Sequence, residues 1–284
     1  MNRKIPPRVA AIHDMSGFGR CALTVVIPTL AAMGIQPVPL PTALLSTHTG
    51  GFTDFTFLDL TSEMESISSH WSTLGVTFDA VYSGFLGSGA QCGVVDNFIR
   101  RFRGENTLVL VDPVMGDNGT LYATVTAEIT SGMLKLVSSA DIITPNVTEA
   151  NILLGIENSS GETCHTLTGT EITDRLMRLT ALGPGEVVIT GIHMGDDIVT
   201  ACLENGGSPV LCAKPRINVS YPGTGDLFAS VLLGRRLDGD TLAQASEAAS
   251  GFVYDVICGS VDSGQPLRDG VLLEKFLYRL IKQV

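Results

Sequence analysis

The chain is poor in positive charge and has no long apolar run. Its 18 Lys and Arg stand against 29 Asp and Glu, a formal net charge of −11. The basic residues never form a block; Arg100, Arg101 and Arg103, the densest group, suit the wet face of a helix. A surface of that sign repels phosphodiester backbones and anionic lipid, which sets aside nucleic acid and membranes as partners. No stretch reaches the ~18 uninterrupted apolar residues of a membrane span. Pro6 and Pro7 stand where a secretory leader would place its apolar segment, so a cytoplasmic protein is expected. The six cysteines (Cys21, Cys92, Cys164, Cys202, Cys212 and Cys258) form no C-x-x-C pair and no metal-ligand spacing with histidine. They read as buried thiols in a reducing compartment. No Lys-Ser or Lys-Thr follows a glycine in the frame of a P-loop, so any nucleotide would be held without that lysine.

What the chain does have is alternation. Apolar β-rich runs at Arg8–His13, Thr42–Ser46, Ala80–Ser83, Thr107–Asp112, Asp141–Thr144 and Glu186–Thr190 are separated by helical patterns at 21–33, 62–74, 90–102, 126–137, 148–154 and 171–182. Ser62-x-x-Glu65 has the form of a capping box opening the second of these helices. Two antiparallel-looking strands, Ile198–Leu203 and Val210–Ala213, precede helices near 225–237, 243–257 and 271–282. Strands alternating with helices imply an α/β fold, a mostly parallel sheet covered on both faces. With no linker or repeat, one domain over residues 1–284 is expected. Segment 52–58 alternates aromatic and polar residues, as an exposed flap strand or a small core hairpin would. In such sheets ligands bind beyond the carboxyl ends of the strands, and polar residues gather there: His13 and Asp14, Ser46–Thr49, Ser83–Phe85, Asp112, Thr144–Asn146 and Thr190.

Tyr221-Pro-Gly-Thr-Gly-Asp-Leu-Phe-Ala-Ser230 carries the most chemistry. Gly223 and Gly225 can turn backbone N–H groups together at the positive end of the helix that follows, an anion cradle. Asp226 inside such a cradle is costly unless it works as a proton acceptor in phosphoryl transfer. The plainer alternative is a glycine turn with an acid favoured by the helix dipole. Gly17-Phe-Gly19-Arg-Cys-Ala22 matches a dinucleotide fingerprint, but the Pro37-Val-Pro-Leu-Pro-Thr42 stretch lacks the acid that would bind ribose, which argues against a nicotinamide cofactor. Asp112-Pro-Val-Met-Gly-Asp-Asn-Gly119 and Thr144-Pro-Asn-Val-Thr-Glu149 each end a strand with polar groups and an acid. Asp112 and Glu149 could converge on Mg2+, or serve only as a turn former and a helix cap.

Taken in order, Asp112-Pro-Val-Met-Gly, Thr144-Pro-Asn-x-x-Glu149, Val187-Val-Ile-Thr190 and Gly223-Thr-Gly-Asp226 resemble the ribokinase-like superfamily over nearly the whole chain. Ser46-Thr-His-Thr-Gly50 and the Asp-Pro-Val-Met-Gly run resemble its vitamin B6 kinase branch, with the hydroxymethylpyrimidine kinases as near relatives. The resemblance implies a three-layer α/β/α sandwich with a mainly parallel central sheet, and transfer of the ATP γ-phosphoryl group to the hydroxymethyl of pyridoxal, pyridoxine or pyridoxamine. It implies Asp226 as catalytic base and Gly223, Thr224 and Gly225 as the anion hole. Asp112, Asp117, Tyr122, Asn146 and Thr190 would surround ATP, with Asp112 and Glu149 near Mg2+. Asp14, His48, Thr49 and Phe85 would line the pocket of the pyridine ring. The resemblance also implies a homodimer, and it leaves a monovalent cation open beside Mg2+. One departure stands out: many pyridoxal kinases carry serine where this chain has Asp14, within a longer segment before the first glycine pair. That keeps the pyrimidine kinases in competition. A sugar kinase would need a longer run of polar pocket residues, and a non-catalytic sensor would have no use for Asp226.

Overall fold

A computed structural model describes residues 5–159 and 161–281. Strand β1 (Arg8–Phe18) comes first and leads into helix α1 (Leu23–Ala32). Then come β2 (Gln36–Thr47), β3 (Phe57–Asp59), α2 (Thr61–Thr73), β4 (Ala80–Ser83), α3 (Gly89–Phe102) and β5 (Leu108–Val111). A small hairpin, β6 (Gly116–Asp117) and β7 (Thr120–Leu121), precedes α4 (Ala127–Ser139), β8 (Ile142–Ile143), α5 (Val147–Leu154) and α6 (Gly169–Thr180). β9 (Glu186–Met194), β10 (Asp197–Glu204), β11 (Val210–Pro215), α7 (Thr224–Leu237) and α8 (Leu242–Asp262) follow.

Nine strands form one sheet in the order β11-β10-β9-β8-β5-β4-β1-β2-β3. The run from β9 to β2 is parallel throughout, while β10 and β3 pair antiparallel with their inner neighbours. Successive side chains on a strand point to opposite faces, and both faces are buried. Ala10, Ile12, Val81, Val109, Val111 and Ile189 pack with α2 to α6, and Val9, Ala11, Ala80, Tyr82, Leu110 and Val188 with α1, α7 and α8. The result is the expected three-layer α/β/α sandwich. No helix among the described residues is long and apolar enough to cross a membrane.

Several elements depart from the sequence-based boundaries. β2 begins at Gln36 rather than Thr42, through Pro37, Pro39 and Pro41. The Gln36 amide donates to the Pro7 carbonyl (2.8 Å), so alternate positions face β1 and the three prolines turn their missing N–H groups outward. On that side β3 pairs only with Ala43–Leu45, so no ladder bond is lost. Of the two readings of segment 52–58, the exposed strand holds only at its end: β3 takes in Phe57 and Leu58, both open to solvent, and not a core hairpin. The Ser62/Glu65 capping box does not form: α2 starts one residue earlier, and Asp59 accepts the Thr61 amide (2.9 Å) instead. The helix expected over 271–282 reaches past the described residues. Its described part is two 3-10 turns, Leu273–Lys275 and Leu277–Leu280. Tertiary contacts override helix preference there. The Leu272 amide donates to Ser260 Oγ (2.8 Å), and Phe276 fills the space where a Gly259 side chain would sit.

At the start of α8, Thr241 Oγ1 accepts the Gln244 amide (3.2 Å) and Gln244 Oε1 accepts the Thr241 amide (3.0 Å), a reciprocal cap. The Leu242 amide is tied to Glu204, at the opposite edge of the sheet from the polar strand ends. Thr241→Ala should therefore cost about 1 kcal/mol. The melting temperature should fall by about 2–4 °C with turnover unchanged, measured by thermal denaturation and a coupled assay.

Candidate active site

Helix α7 begins at Gly223, whose backbone sits at φ 80°, ψ 0°. A Cβ there would lie 2.3 Å from the Arg20 carbonyl oxygen, so both conformation and space call for glycine. Thr224 Oγ1 donates to the Tyr221 carbonyl (3.1 Å), and the Tyr221 hydroxyl donates to the Gln265 carbonyl (3.1 Å), which pins the approach to the turn. Helix geometry leaves the first-turn amides without acceptors of their own, at the positive end of the dipole. That is a seat for an anion.

Asp226 lies in this first turn. Its Oδ2 accepts the Ala22 amide (2.8 Å) and stands 3.6 Å from Cys21 Sγ. Its Oδ1 stands 3.7 Å from His13 Nδ1. Ala22 reaches this position at φ 51°, ψ −130°, a conformation costly for any residue with a side chain. The strain has a use, because it aims the amide at the carboxylate. Burial pushes Asp226 up to about 6, against the opposing pull of the Ala22 amide.

Asp112, at the end of β5, accepts a hydrogen bond from Thr144 Oγ1 (3.1 Å), and its Oδ2 faces Gly225. Burial, with the charge of Asp226 adding to it, pushes Asp112 up to about 7. Asn146 caps α5 and Glu149 closes a capping box with it: Asn146 Oδ1 accepts the Glu149 amide and Glu149 Oε2 the Asn146 amide, both at 2.9 Å. Glu149 Oε1 accepts the Met115 amide (3.1 Å) and Asn146 Nδ2 donates to the Gly116 carbonyl (2.8 Å). The acid thus ties α5 to the β5–β6 loop as well as capping its own helix. Burial, then Asp112, pushes its carboxyl well above the ordinary glutamate value. Thr190 on β9 forms a bridge with Asn146 and donates its amide to the Pro145 carbonyl (3.0 Å). On the hairpin, Asp117 Oδ1 accepts the Asn118 amide (2.8 Å), and Tyr122 is bonded through its backbone to Met115. The Tyr122 hydroxyl is pushed up by burial and then by Glu149 and Asp117. Asp112, Asp117, Tyr122, Asn146, Glu149 and Thr190 are therefore one neighbourhood, built on the ends of β5, β8 and β9.

Buried acids held above their ordinary pKa form a site short of positive charge, and a hard cation with oxygen ligands suits that donor set. Among the described residues, no group of three or more His, Cys, Asp or Glu side chains could close around a metal ion. An ion here would draw only part of its shell from the protein, as Mg2+ does when phosphates and water complete it.

The other side of Asp226 is shaped by an irregularity in β1. Its register with β2 shifts between His13 and Met15, and Asp14 sits at the shift. Asp14 is buried and accepts the Ser16 hydroxyl (2.8 Å); burial raises its carboxyl, with Ser16 and His48 opposing. His48 is engaged at both nitrogens: Nδ1 accepts the Gly50 amide (3.1 Å), and Nε2, which then carries the proton, donates to the Arg268 carbonyl (2.7 Å). Its ring packs over Gly19 and edge-on to Phe52 (5.0 Å). His48 thus clamps the 48–50 loop to residue 268, with Thr49 exposed beside it. Phe85 is half-buried, and its carbonyl accepts Thr42 Oγ1 (3.2 Å). Three neighbours of Asp226 escape the sequence-based reading. Ala22 stands in the sequence only as the last residue of the dinucleotide fingerprint, Cys21 reads as one of six buried thiols, and His13 reads only as a polar strand end.

The model of the phosphomethylpyrimidine kinase family matches residues 25–268. A Bacteroides thetaiotaomicron protein named for the phosphomethylpyrimidine kinases and crystallised with pyridoxal is 40% identical, with a TM-score of 0.92 over 99% of this chain and 97% of its own. Pyridoxal kinase from Lactobacillus plantarum is 30% identical, with a TM-score of 0.88 over 96% of each chain. A pyridoxine/pyridoxal/pyridoxamine kinase of Bordetella avium is 28% identical over 88% of this chain and 84% of its own. The chain belongs to the phosphomethylpyrimidine kinase family, on the ribokinase-like branch that holds the vitamin B6 kinases.

Gly223→Ala should be damaging twice over, through its backbone conformation and through the contact with Arg20. We expect a loss of about 1–3 kcal/mol in stability and a fall of at least ~10-fold in turnover. Denaturant unfolding and steady-state kinetics check both; a variant that melts and turns over like wild type would show that this turn does not hold the anion.

Proposed function

We propose that the chain transfers the γ-phosphoryl group of ATP to the 5′-hydroxymethyl of a B6 vitamer, giving the 5′-phosphate and ADP. The single observation that carries this is the placement of Asp226, a carboxylate oriented by the Ala22 amide in the first turn of α7, next to a glycine turn whose free amides suit an anion. The B6 kinases to which the chain is similar support the pyridine acceptor.

In this reading Asp226 takes the hydroxymethyl proton while the oxygen attacks phosphorus and the bond to the β-phosphate oxygen breaks. Gly223, Thr224 and Gly225 supply amides to the charge on the moving group. Asp112, Asp117, Tyr122, Asn146 and Thr190 hold the nucleotide. Asp112 and Glu149 would hold Mg2+, Glu149 through water because backbone amides already occupy both of its oxygens. The ion would neutralise phosphate charge. Asp14 and Phe85 face the ring, with the His48–Thr49 loop closing over it. A homodimer in the cytoplasm belongs to the same proposal, and sedimentation velocity tests the dimer.

Asp226→Asn should lower kcat by about 100- to 10,000-fold while ATP binding, followed by calorimetry, stays within a few-fold of wild type. Because the base must be ionised, kcat/KM should fall as pH drops through about 6, tenfold per pH unit below it, and Asp226→Asn should remove that limb. Near-normal turnover by the variant would refute Asp226 as base.

Asp14→Asn should raise the acceptor KM and reorder pyridoxal, pyridoxine and pyridoxamine, since a buried carboxylate and an amide offer the ring different partners. The family's own name favours a pyrimidine alcohol as the second reading. One substrate panel with ADP detection separates the two: faster turnover of the pyrimidine would overturn the B6 assignment.

A further inference from the structure

Behind the carboxylate assigned as base lies a group that this chemistry has not used. His13 is 0% exposed in the middle of the sheet, and neither of its ring nitrogens has a hydrogen-bond partner. Its ring meets the Tyr82 ring edge-on, with centroids 4.3 Å apart. Gly84 leaves room for it, because a Cβ there would lie 2.3 Å from Nδ1. Nδ1 in turn stands 3.7 Å from Asp226 Oδ1.

An imidazole with both nitrogens unpaired is a poor filler for a dry core, where an apolar side chain of similar volume would be the more stable choice. Violations of that kind gather at functional sites. Burial holds the ring neutral, with its pKa lowered to about 3, so it cannot take the proton that Asp226 collects. A neutral ring carries one N–H, and with the proton on Nδ1 it has the Asp226 carboxylate 3.7 Å away as an acceptor. The present gap is longer than a hydrogen bond. In unliganded enzymes such contacts are often long and tighten when substrates bind.

We propose that His13 is a positioning residue: its Nδ1–H points at Asp226 Oδ1 and, in the ternary complex, closes to a hydrogen bond that fixes the rotamer of the base. The Ala22 amide holds Oδ2 from the front and His13 holds Oδ1 from behind. The carboxylate is then oriented by the Ala22 amide and the Cys21 thiol on Oδ2 and by His13 on Oδ1, and Oδ1 keeps a lone pair for the substrate proton. This logic extends the general scheme in which a third group orients the base. It rests on the assignment of Asp226 as base.

Two substitutions of similar shape separate the donor from the ring. His13→Asn can place an amide N–H where Nδ1 was, whereas His13→Leu cannot donate. We expect His13→Leu to melt at or above the wild-type temperature, to lose kcat by about 10- to 100-fold, and to keep KM for ATP within about twofold. His13→Asn should recover kcat to within about threefold of wild type. In an Asp226→Asn background, His13→Leu should cost nothing further, because the two act as one unit. Wild-type kcat in His13→Leu would overturn the inference. So would failure of that variant to fold, since the ring would then be required by packing, and so would equal loss in the Leu and Asn variants. Normal turnover by Asp226→Asn alone would instead sink the base assignment, whatever His13 does.

Discussion

The contact on which the site turns is the hydrogen bond from the Ala22 amide to Asp226, spanning 204 residues of chain. It joins the turn after β1 to the first turn of α7, and the Cys21 thiol, 3.6 Å from the same carboxylate oxygen, supports it. Ala22 adopts a strained backbone to make it, and Gly223 must lack a side chain because the Arg20 carbonyl occupies that space. The two constraints meet: the β1–α1 turn can approach closely only because α7 starts with glycine, and the carboxylate is oriented only because the turn approaches. Strain here is local and is carried by a fully formed core on both faces of the sheet.

Charge is the second constraint. Asp14, Asp112, Glu149 and Asp226 are all buried or nearly so at one edge of the sheet, and burial raises the pKa of each. In a chain of net charge −11 this is an unfavourable concentration unless cations arrive with the ligand. The arrangement is not uniform. Glu149 is held by two backbone amides and Asp112 by one hydroxyl, so their side of the site is tied down by local capping and by the loop that leads into the β6–β7 hairpin. Asp226 is pushed up to about 6 by burial, with the Ala22 amide and the Cys21 thiol pulling against it.

Much of this was legible in the sequence, for identifiable reasons. The parallel strands read clearly because they are buried on both faces and short, and each ends in a polar residue that has nowhere else to go. The α5 cap could be seen as Asn146 and Glu149 three apart, although its second task, holding the Met115 amide, could not. Local pattern failed wherever a distant segment decided the outcome. Pro37, Pro39 and Pro41 argue against a strand until one knows that their side of β2 is an open edge. Ser62 and Glu65 satisfy a capping rule, but Asp59 reaches the first amide sooner. The 271–281 segment has helical composition, yet docking on Ser260 and Gly259 breaks it into tight turns. The one pattern that includes Ala22, the dinucleotide fingerprint, does not point to this role, which lies in its backbone and is set by a partner far along the chain.

The irregularities of β1 and β2 are what give the two sides of Asp226 different characters. On the side of Asp112, Asn146 and Thr190, proposed to hold the nucleotide, regular strand ends deliver side chains at fixed intervals, by elements that any member of such a fold could share. On the opposite side, the register shift at Asp14 rotates the strand away from strict alternation, and β1 continues to Phe18 alongside β2 to Thr47. That continuation carries the glycine-rich 17–19 segment beneath the His48 ring, which both Gly50 and Arg268 hold in place. A bulge is a local and tunable feature: one residue more or fewer re-aims every side chain beyond it. In the proposed reading, the choice of acceptor is thereby physically separable from phosphate handling. The shorter, acidic segment from Ile12 to Gly19 could then alter which ring is held without disturbing the amides and acids proposed to manage the phosphates.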